Sequence, residues 1–190
     1  MRGVILDSDS FDRGDLDTAA LDNALDHWTH HRSTMPDEVP KRLEGYEVVV
    51  TNKVVIDATA MESSALQLIV VAATGTNNID LAAAARRGIT VCNVRDYASA
   101  AVSQHVFSLV LALVTHLGDY TRAVGQGRWQ QSKVFCMLDY PIRELAGLTL
   151  GIIGYGNLGR SVAQIAQGFQ MQVLLCARPG SNAVPDGRVD

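Results

Sequence analysis

Gly154, Gly156 and Gly159, in the stretch GIIGYGNLGR (151–160), stand at G-x-G-x-x-G spacing, a pattern that works through the backbone rather than through side chains. In such a turn the first glycine permits the tight bend. The second lets a pyrophosphate approach the main chain, and the third lets a helix pack closely on the preceding strand. Backbone N–H groups of Asn157 and Leu158 would then meet the phosphates at the positive end of that helix. Glycines also punctuate purely structural turns, so the context decides. TLGII before the turn reads as a strand, and LGRSVAQIAQGF after it sets Leu158, Val162, Ile165, Ala166 and Phe169 on one helical face.

The adenosine end of such a site belongs at the tip of the next strand, VLLCARPG (173–180). A dinucleotide fold commonly places an acid there for the ribose hydroxyls, about 20 residues after the motif. Here Ala177 stands eighteen residues beyond Gly159, Arg178 follows it, and no Asp or Glu occurs from Gly151 to Gly180. An acid would repel a 2′-phosphate, whereas a neutral residue beside a guanidinium accepts one by charge-assisted hydrogen bonds. The pair therefore favours NADP over NAD. The alternative is that Arg178 is a solvated residue beside a Pro-Gly turn.

The elements that must carry these residues alternate from the start. GVILD (3–7), WTHHRST (28–34), YEVVVTN (46–52) and LQLIVVAATGT (67–76) are strand-like, with helical stretches at 16–25 and in PDEVPKRLEG between them. Near-continuous apolar runs suit parallel strands covered on both faces. In IDLAAAARRGITVCNV (79–94) alanines propagate a helix, Arg86 and Arg87 suit its negative end, and Gly88 fits a left-handed C-cap before the next strand. Repeated β-α units of this kind predict a parallel sheet closing near residue 95. A long helix is expected from Ser99 as N-cap, carrying Val102, Val106, Leu109, Leu113 and Leu117. Gly125, Gly127 and Pro141 then mark a loop-rich passage, GRWQQSKVFCMLDYPIREL, read as a crossing between lobes.

Composition narrows the function. With 190 residues, 47% of them apolar, and a net charge of −4 without a basic cluster, the chain has the character of a soluble globular protein and no electrostatic footprint for nucleic acid or anionic membranes. The apolar run Val106–Val114 is about half of what a bilayer span needs. MRGVILDSDS enters a strand-like run directly, without the look of a signal peptide. Cys92, Cys136 and Cys176 are odd in number and widely spaced, which fits reduced thiols in a cytoplasmic protein and no metal cluster.

Three ordered blocks, AATGTNNIDLAAAARRGITVCNV, ASAAVSQHVFSLVLAL and GRWQQSKVFCMLDYPIRELAGLTLGIIGYGNLG, resemble the D-isomer-specific 2-hydroxyacid dehydrogenases. WQQS, FC and DYPIREL are similar in particular to bacterial glycerate dehydrogenases (hydroxypyruvate reductases). The resemblance implies an α/β architecture: a flavodoxin-like substrate lobe over 1–98, then the first half of a Rossmann dinucleotide-binding domain over 99–190. It implies hydride transfer between a nicotinamide cofactor and a small 2-hydroxy or 2-keto acid, such as glycerate/hydroxypyruvate or glycolate/glyoxylate. By the same resemblance Thr74 touches the cofactor, the backbone of Gly75 and Thr76 holds the substrate carboxylate, and Lys53 faces the substrate. A short Gly-containing turn does offer free N–H donors to an anion, although a plain strand-to-helix turn would look the same.

The helix from Ser99 is a dimer element in this family, which implies a homodimer for the full-length fold; Gln104 stands where Glu is commoner. His105, on an apolar helix, reads as a core or interface residue rather than a base. The family's catalytic His, acid and Arg fall beyond Asp190, so no catalytic residue is assigned here. The 190-residue chain is accordingly expected to be inactive and marginally stable, with TLGII an exposed edge strand. A non-catalytic dinucleotide-sensing module and a gene remnant are the alternatives.

Overall fold

A computed structural model describes residues 1–62, 64–176 and the backbone of 188–189. The chain divides into two compact units, Met1–Arg95 and Asp96–Asp190.

The first unit runs β1 (Arg2–Ile5), α1 (Ala19–Asp22), β2 (His27–His30), α2 (Val39–Leu43), β3 (Val48–Thr51), α3 (Ala58–Glu62), β4 (Leu68–Val71), α4 (Leu81–Arg86) and β5 (Thr90–Asn93). Its sheet is ordered β2-β1-β3-β4-β5 with every neighbouring pair parallel. That is the flavodoxin-like order, with its topological switch between β1 and β3. Register runs straight across: Val50 faces Ile5 on one side and Val70 on the other, and Val70 faces Cys92. The continuous apolar runs have the predicted consequence, since all four residues of β3 are buried and Val4, Leu6, Val49, Ile69 and Val71 are fully inaccessible.

Local signals explain where these elements stop. The Asp80 carboxylate accepts the Ala83 N–H at 2.8 Å and so caps α4. At the other end Gly88 takes φ +69°, Gly88 N–H donates to Ala85 O at 3.1 Å and Ile89 N–H to Ala84 O at 2.9 Å, a Schellman closure. The helical stretch expected over 16–25 is shorter than its apolar spacing implies. The Asp12 carboxylate gathers the N–H groups of Gly14, Asp15 and Leu16, a local turn that competes with helix before Ala19.

The second unit runs α5 (Ser99–Val114), α6 (Leu117–Gly125), α7 (Arg128–Gln131), β6 (Thr149–Ile153), α8 (Asn157–Gly168), β7 (Gln172–Cys176) and β8 (Arg188–Val189). β6 and β7 are parallel, and β8 is antiparallel to β7, so β6 is an edge strand among the described residues. α5 packs on α8 through Phe107 and Phe169, stacked at 5.4 Å, and through Ser103, which donates to Ser99 O at 2.7 Å and Ser161 Oγ at 2.8 Å.

The second unit departs from expectation at several points. Ser99 is not the N-cap of α5 but its first helical residue after Ala98, with no side-chain cap. The helix does not reach Leu117, because His116 adopts φ +50° and starts a new helix. The stripe Val102, Leu109, Leu113 and Leu117 is exposed, while Phe107, Val106, Val110, Leu111 and Val114 face the core. α5 is therefore apolar on two faces, and periodicity alone could not say which one the rest of the chain would cover. His105 is exposed as well, which removes the core reading of it. Finally, the passage from 125 to 145 lies inside the second unit, where Tyr120 Oη donates to Met137 O at 3.2 Å and Tyr140 O at 2.9 Å; the division between units falls after Arg95. No single helix among the described residues is long and apolar enough to cross a membrane.

Candidate functional site

The glycine turn links β6 to α8. Gly154 takes φ +90°, a conformation that strains any residue with a side chain. A Cβ on Gly159 would lie 2.2 Å from the Gly154 carbonyl oxygen, so only glycine lets the first turn of α8 sit against the strand end. Gly156 differs from both: its φ is −80° and a Cβ there would meet nothing within 4 Å. Neither strain nor internal packing demands a glycine at that position. Gly118, Gly125, Gly151 and Gly168 are equally open, so what sets Gly156 apart is its place as the N-cap of α8, between two sterically required glycines, where a phosphate could approach the main chain. Gly156 O accepts Arg160 N–H at 2.9 Å as the first helical bond. The N–H groups of Asn157, Leu158 and Gly159 then have no carbonyl one turn back, which leaves a cluster of donors at the positive helix end.

Two side chains beside this turn, Asn157 and Arg160, make contacts that the glycine pattern does not predict. The Asn157 amide donates to the Asp96 carboxylate, with Asp96 itself at φ +59°. The Arg160 side chain folds back, Nε donating to Tyr155 O at 3.2 Å with the guanidinium 5.8 Å from the Tyr155 ring centre, and so adds a cation to the turn. Of the face foreseen for α8, Val162, Ile165 and Ala166 pack inward, whereas Leu158 and Phe169 are partly exposed and Ala163 is buried in their place. Gly154 N–H donates to Cys176 O at 3.1 Å, so the last described residue of β7 lies beside the glycine turn. Ala177 and Arg178, expected to read the adenosine ribose, lie outside the described residues.

In the first unit, candidate residues lie in the loops after β3 and β4. Thr74 and Gly75 are exposed and Thr76 is half-buried, with Thr74 O held by Asn93 Nδ2 at 2.7 Å. The N–H groups of Gly75 and Thr76 donate to no protein acceptor among the described residues. The turn thus presents two unspent donors to solvent, as a carboxylate site requires. The neighbouring loop is laced to it: Asn78 Nδ2 donates to Val54 O at 3.0 Å, Ile56 N–H to Asn78 O at 2.9 Å, and Asp80 N–H to Ile56 O at 3.1 Å.

Lys53 stands on the rim of a cleft of 680 Å³, shared with Ser10, Thr34, Val54 and Asp57. Among the described residues it takes no part in the ion pairs of this unit, which join Met1 to Asp26, His30 to Asp22, Arg32 to Asp9 and Arg42 to Glu38. Beneath it lies Asp7, 5% exposed and unremarked in the sequence reading. Its carboxylate accepts Lys53 N–H at 2.7 Å, Asn52 N–H at 2.9 Å, and the Thr51 and Ser10 hydroxyls at 3.1 Å each. An acid directly after an apolar strand was the signal available in GVILD. Nearby, burial and then the Arg42 guanidinium hold His31 below its ordinary pKa, while the Met35 N–H, with Arg42 behind it, lowers that of Glu38.

Comparison with known proteins gives this arrangement its relatives. Residues 8–174 match the model for the D-isomer specific 2-hydroxyacid dehydrogenase catalytic domain. The chain is 45% identical over 166 residues to a glycerate dehydrogenase of Methylorubrum extorquens, an overlap of 86% of this chain and 53% of that protein. It is 34% identical over 177 residues to a hydroxypyruvate reductase of Blautia hydrogenotrophica, covering 92% and 55%. The chain spans about half the length of the curated relatives it matches. Among solved structures, the TT0316 protein of Thermus thermophilus superposes with a TM-score of 0.77 at 28% identity, covering 96% of this chain and 58% of that one. With the family pattern matched from Ser8 to Leu174, through both loops of the first unit and the glycine turn of the second, the chain belongs to the D-isomer-specific 2-hydroxyacid dehydrogenases.

Proposed function

We propose that this chain supplies the keto-acid-binding lobe and the phosphate-binding half of the dinucleotide domain of an NAD(P)-dependent dehydrogenase that interconverts hydroxypyruvate and D-glycerate, or glyoxylate and glycolate. The observation that carries the reading is the turn from β6 into α8, where Gly154 and Gly159 are sterically required and the helix end beside the open Gly156 backbone offers unspent N–H donors. When bound, the nicotinamide cofactor supplies or accepts the hydride at the C2 carbon of the acid.

The chain's own residues bind and orient. Gly156, Asn157, Leu158 and Gly159 hold the pyrophosphate through main-chain N–H groups, with Gly154 shaping the bend and Arg160 adding charge. Thr74 borders the cofactor. Gly75 and Thr76 hold the substrate carboxylate with their free N–H groups, and the Lys53 ammonium takes the remaining oxygen functions of the acid. Ala177 and Arg178 accept a 2′-phosphate, which favours NADP. The exposed apolar face of α5, with Leu109 and Leu113 at 52% and 75% exposure, fits a homodimer contact. None of these residues is given the proton-transfer step; their roles are to bind and to orient.

The test is the reduction of hydroxypyruvate and glyoxylate by NADPH and NADH. Turnover by the chain continued through the second half of the Methylorubrum relative, with NADPH preferred and the preference lost in Arg178→Asp, is the expected result. Turnover by the 190-residue chain itself, or an NADH preference in the continued one, would overturn the corresponding part.

A further inference from the structure

The first unit spends an unusual amount of hydrogen bonding on one buried side chain. We infer that Asp7 is a positioning residue of the substrate site, which sets the Asn52–Lys53 turn so that the Lys53 ammonium is presented to the acid; this rests on the reading of Lys53 as a substrate contact. The topology places the two residues together. Asp7 follows β1 and Lys53 follows β3, adjacent parallel strands at the switch of the sheet, so both emerge at the same carboxyl edge.

A parallel pair at its C-terminal end leaves the departing N–H groups of the longer strand without ladder partners. Here the Asp7 carboxylate takes those of Asn52 and Lys53, together with the hydroxyls of Thr51 and Ser10. Thr51 is wholly buried, and its hydroxyl also meets the Val54 N–H at 3.1 Å, so the turn is held at both ends. Asn52 Nδ2 donates to Ser10 O and to Ser10 Oγ, at 3.1 Å each, tying the same turn sideways to the loop after β1. Asn78 grips Val54 from the opposite side, through the loop that bears Gly75 and Thr76.

The backbone on either side of Lys53 is therefore fixed by partners from two loops, while its side chain is exposed and, among the described residues, takes part in no ion pair. A charged acceptor saturated by four donor groups and then buried serves the geometry of what it holds. What it holds is one cation at the rim of a cleft.

Asp7→Asn keeps one acceptor oxygen but replaces the other by an NH2 group that cannot accept, so part of the Asn52–Lys53 bracket is lost and the ammonium is present but loosely placed. In the chain continued through the second half of the Methylorubrum relative, Lys53→Met is expected to raise KM for hydroxypyruvate about tenfold or more. Asp7→Asn is expected to raise KM by about fivefold, with kcat and the NADPH dissociation constant changed less than about twofold. The double variant should match Lys53→Met alone, because the Asp7 effect acts through that ammonium. Thr51→Val, a milder cut in the same bracket, should raise KM roughly two- to threefold by the same logic and keeps the question answerable if Asp7→Asn does not fold. Effects of Asp7→Asn that multiply with those of Lys53→Met, or that move NADPH binding equally, would make Asp7 merely structural and overturn the inference. A Lys53→Met variant with unchanged KM would instead remove the substrate reading of Lys53 on which it rests.

Discussion

The strands of the two units have similar apolar sequences and different surroundings. β3, VVVT, is buried at all four positions, whereas β7, QVLLC, is buried only at alternate positions and β6, TLGII, only at Ile152, with Leu150 half-buried. Ile69 in β4 is inaccessible; Ile153 in β6 is 79% exposed and Leu174 in β7 is 49% exposed. Parallel strands with near-continuous apolar runs are the kind that sheets bury on both faces. The first unit meets that condition within residues 1–95, where its five-stranded sheet is covered by its own helices. Among the described residues the second covers one face, with α5 and α8, and leaves Ile153 and Leu174 on the other largely exposed. Composition specifies what a strand tolerates, and the rest of the fold determines what it receives.

The comparison breaks most visibly under truncation of matched isoleucines. Ile69→Ala should destabilise the first unit by about 3 kcal/mol, the cost of a cavity in a closed core. Ile153→Ala should cost less than about 0.5 kcal/mol, because its side chain is already in water. Trp28 and Trp129 put one fluorescent reporter in each unit, so denaturant melts of the W129F and W28F backgrounds read the two separately. Equal losses would mean that the open face of β6 is covered in solution.

The glycines separate structure from ligand contact on a smaller scale. Gly159→Ala, with its Cβ forced onto the Gly154 carbonyl, should cost about 2 kcal/mol. Gly154→Ala, strained at φ +90°, should cost about 1 kcal/mol or more. Gly156→Ala should leave thermal stability within about 0.5 kcal/mol of the parent, since it meets neither obstacle.

Smaller still is the pH dependence. Burial lowers the His31 pKa below its ordinary value of 6.5, so the unfolded chain binds the proton more readily. The first unit should be at full stability above pH 6.5 and weaken as pH falls from there toward the lower folded-state value, and His31→Gln should abolish that slope. In the second unit the bond from His116, with Arg122 behind it, lowers the Asp119 pKa below 3.8. Its contribution is present above that value and is lost as pH falls through the depressed one, a later acid transition that Asp119→Asn should remove.

Much of this was legible in the residues themselves. The alternation of apolar runs with Ala-rich and glycine-stopped segments specified the parallel sheet, and Asp80 and Gly88 end α4 as local chemistry dictates. The glycine turn was legible because its requirements are steric and nearly local. Less legible was anything that depended on which of two apolar faces is covered. α5 carries one face of Val106, Phe107, Val110 and Val114 and another of Val102, Leu109 and Leu113; the spacing through Val102, Val106, Leu109 and Leu113 follows the second and shares only Val106 with the first, and packing covers the first. Asp7 stayed hidden for a related reason: an aspartate after a strand looks like an ordinary turn residue until the donors that converge on it, from residues 10 and 51–53, are brought together by the β1–β3 pairing.

The central claim is that the second unit's glycine turn is a phosphate site and not only a tight corner. Titration of NADPH into the isotope-labelled chain, followed by amide NMR on the parent and on Gly156→Ala, tests it most directly. The amides of Asn157, Leu158 and Gly159 are expected to shift in the parent, and Gly156→Ala to weaken binding at least about tenfold with an unchanged melting temperature. Unshifted amides at the helix end, or a Gly156→Ala variant that binds NADPH as the parent does, would contradict it.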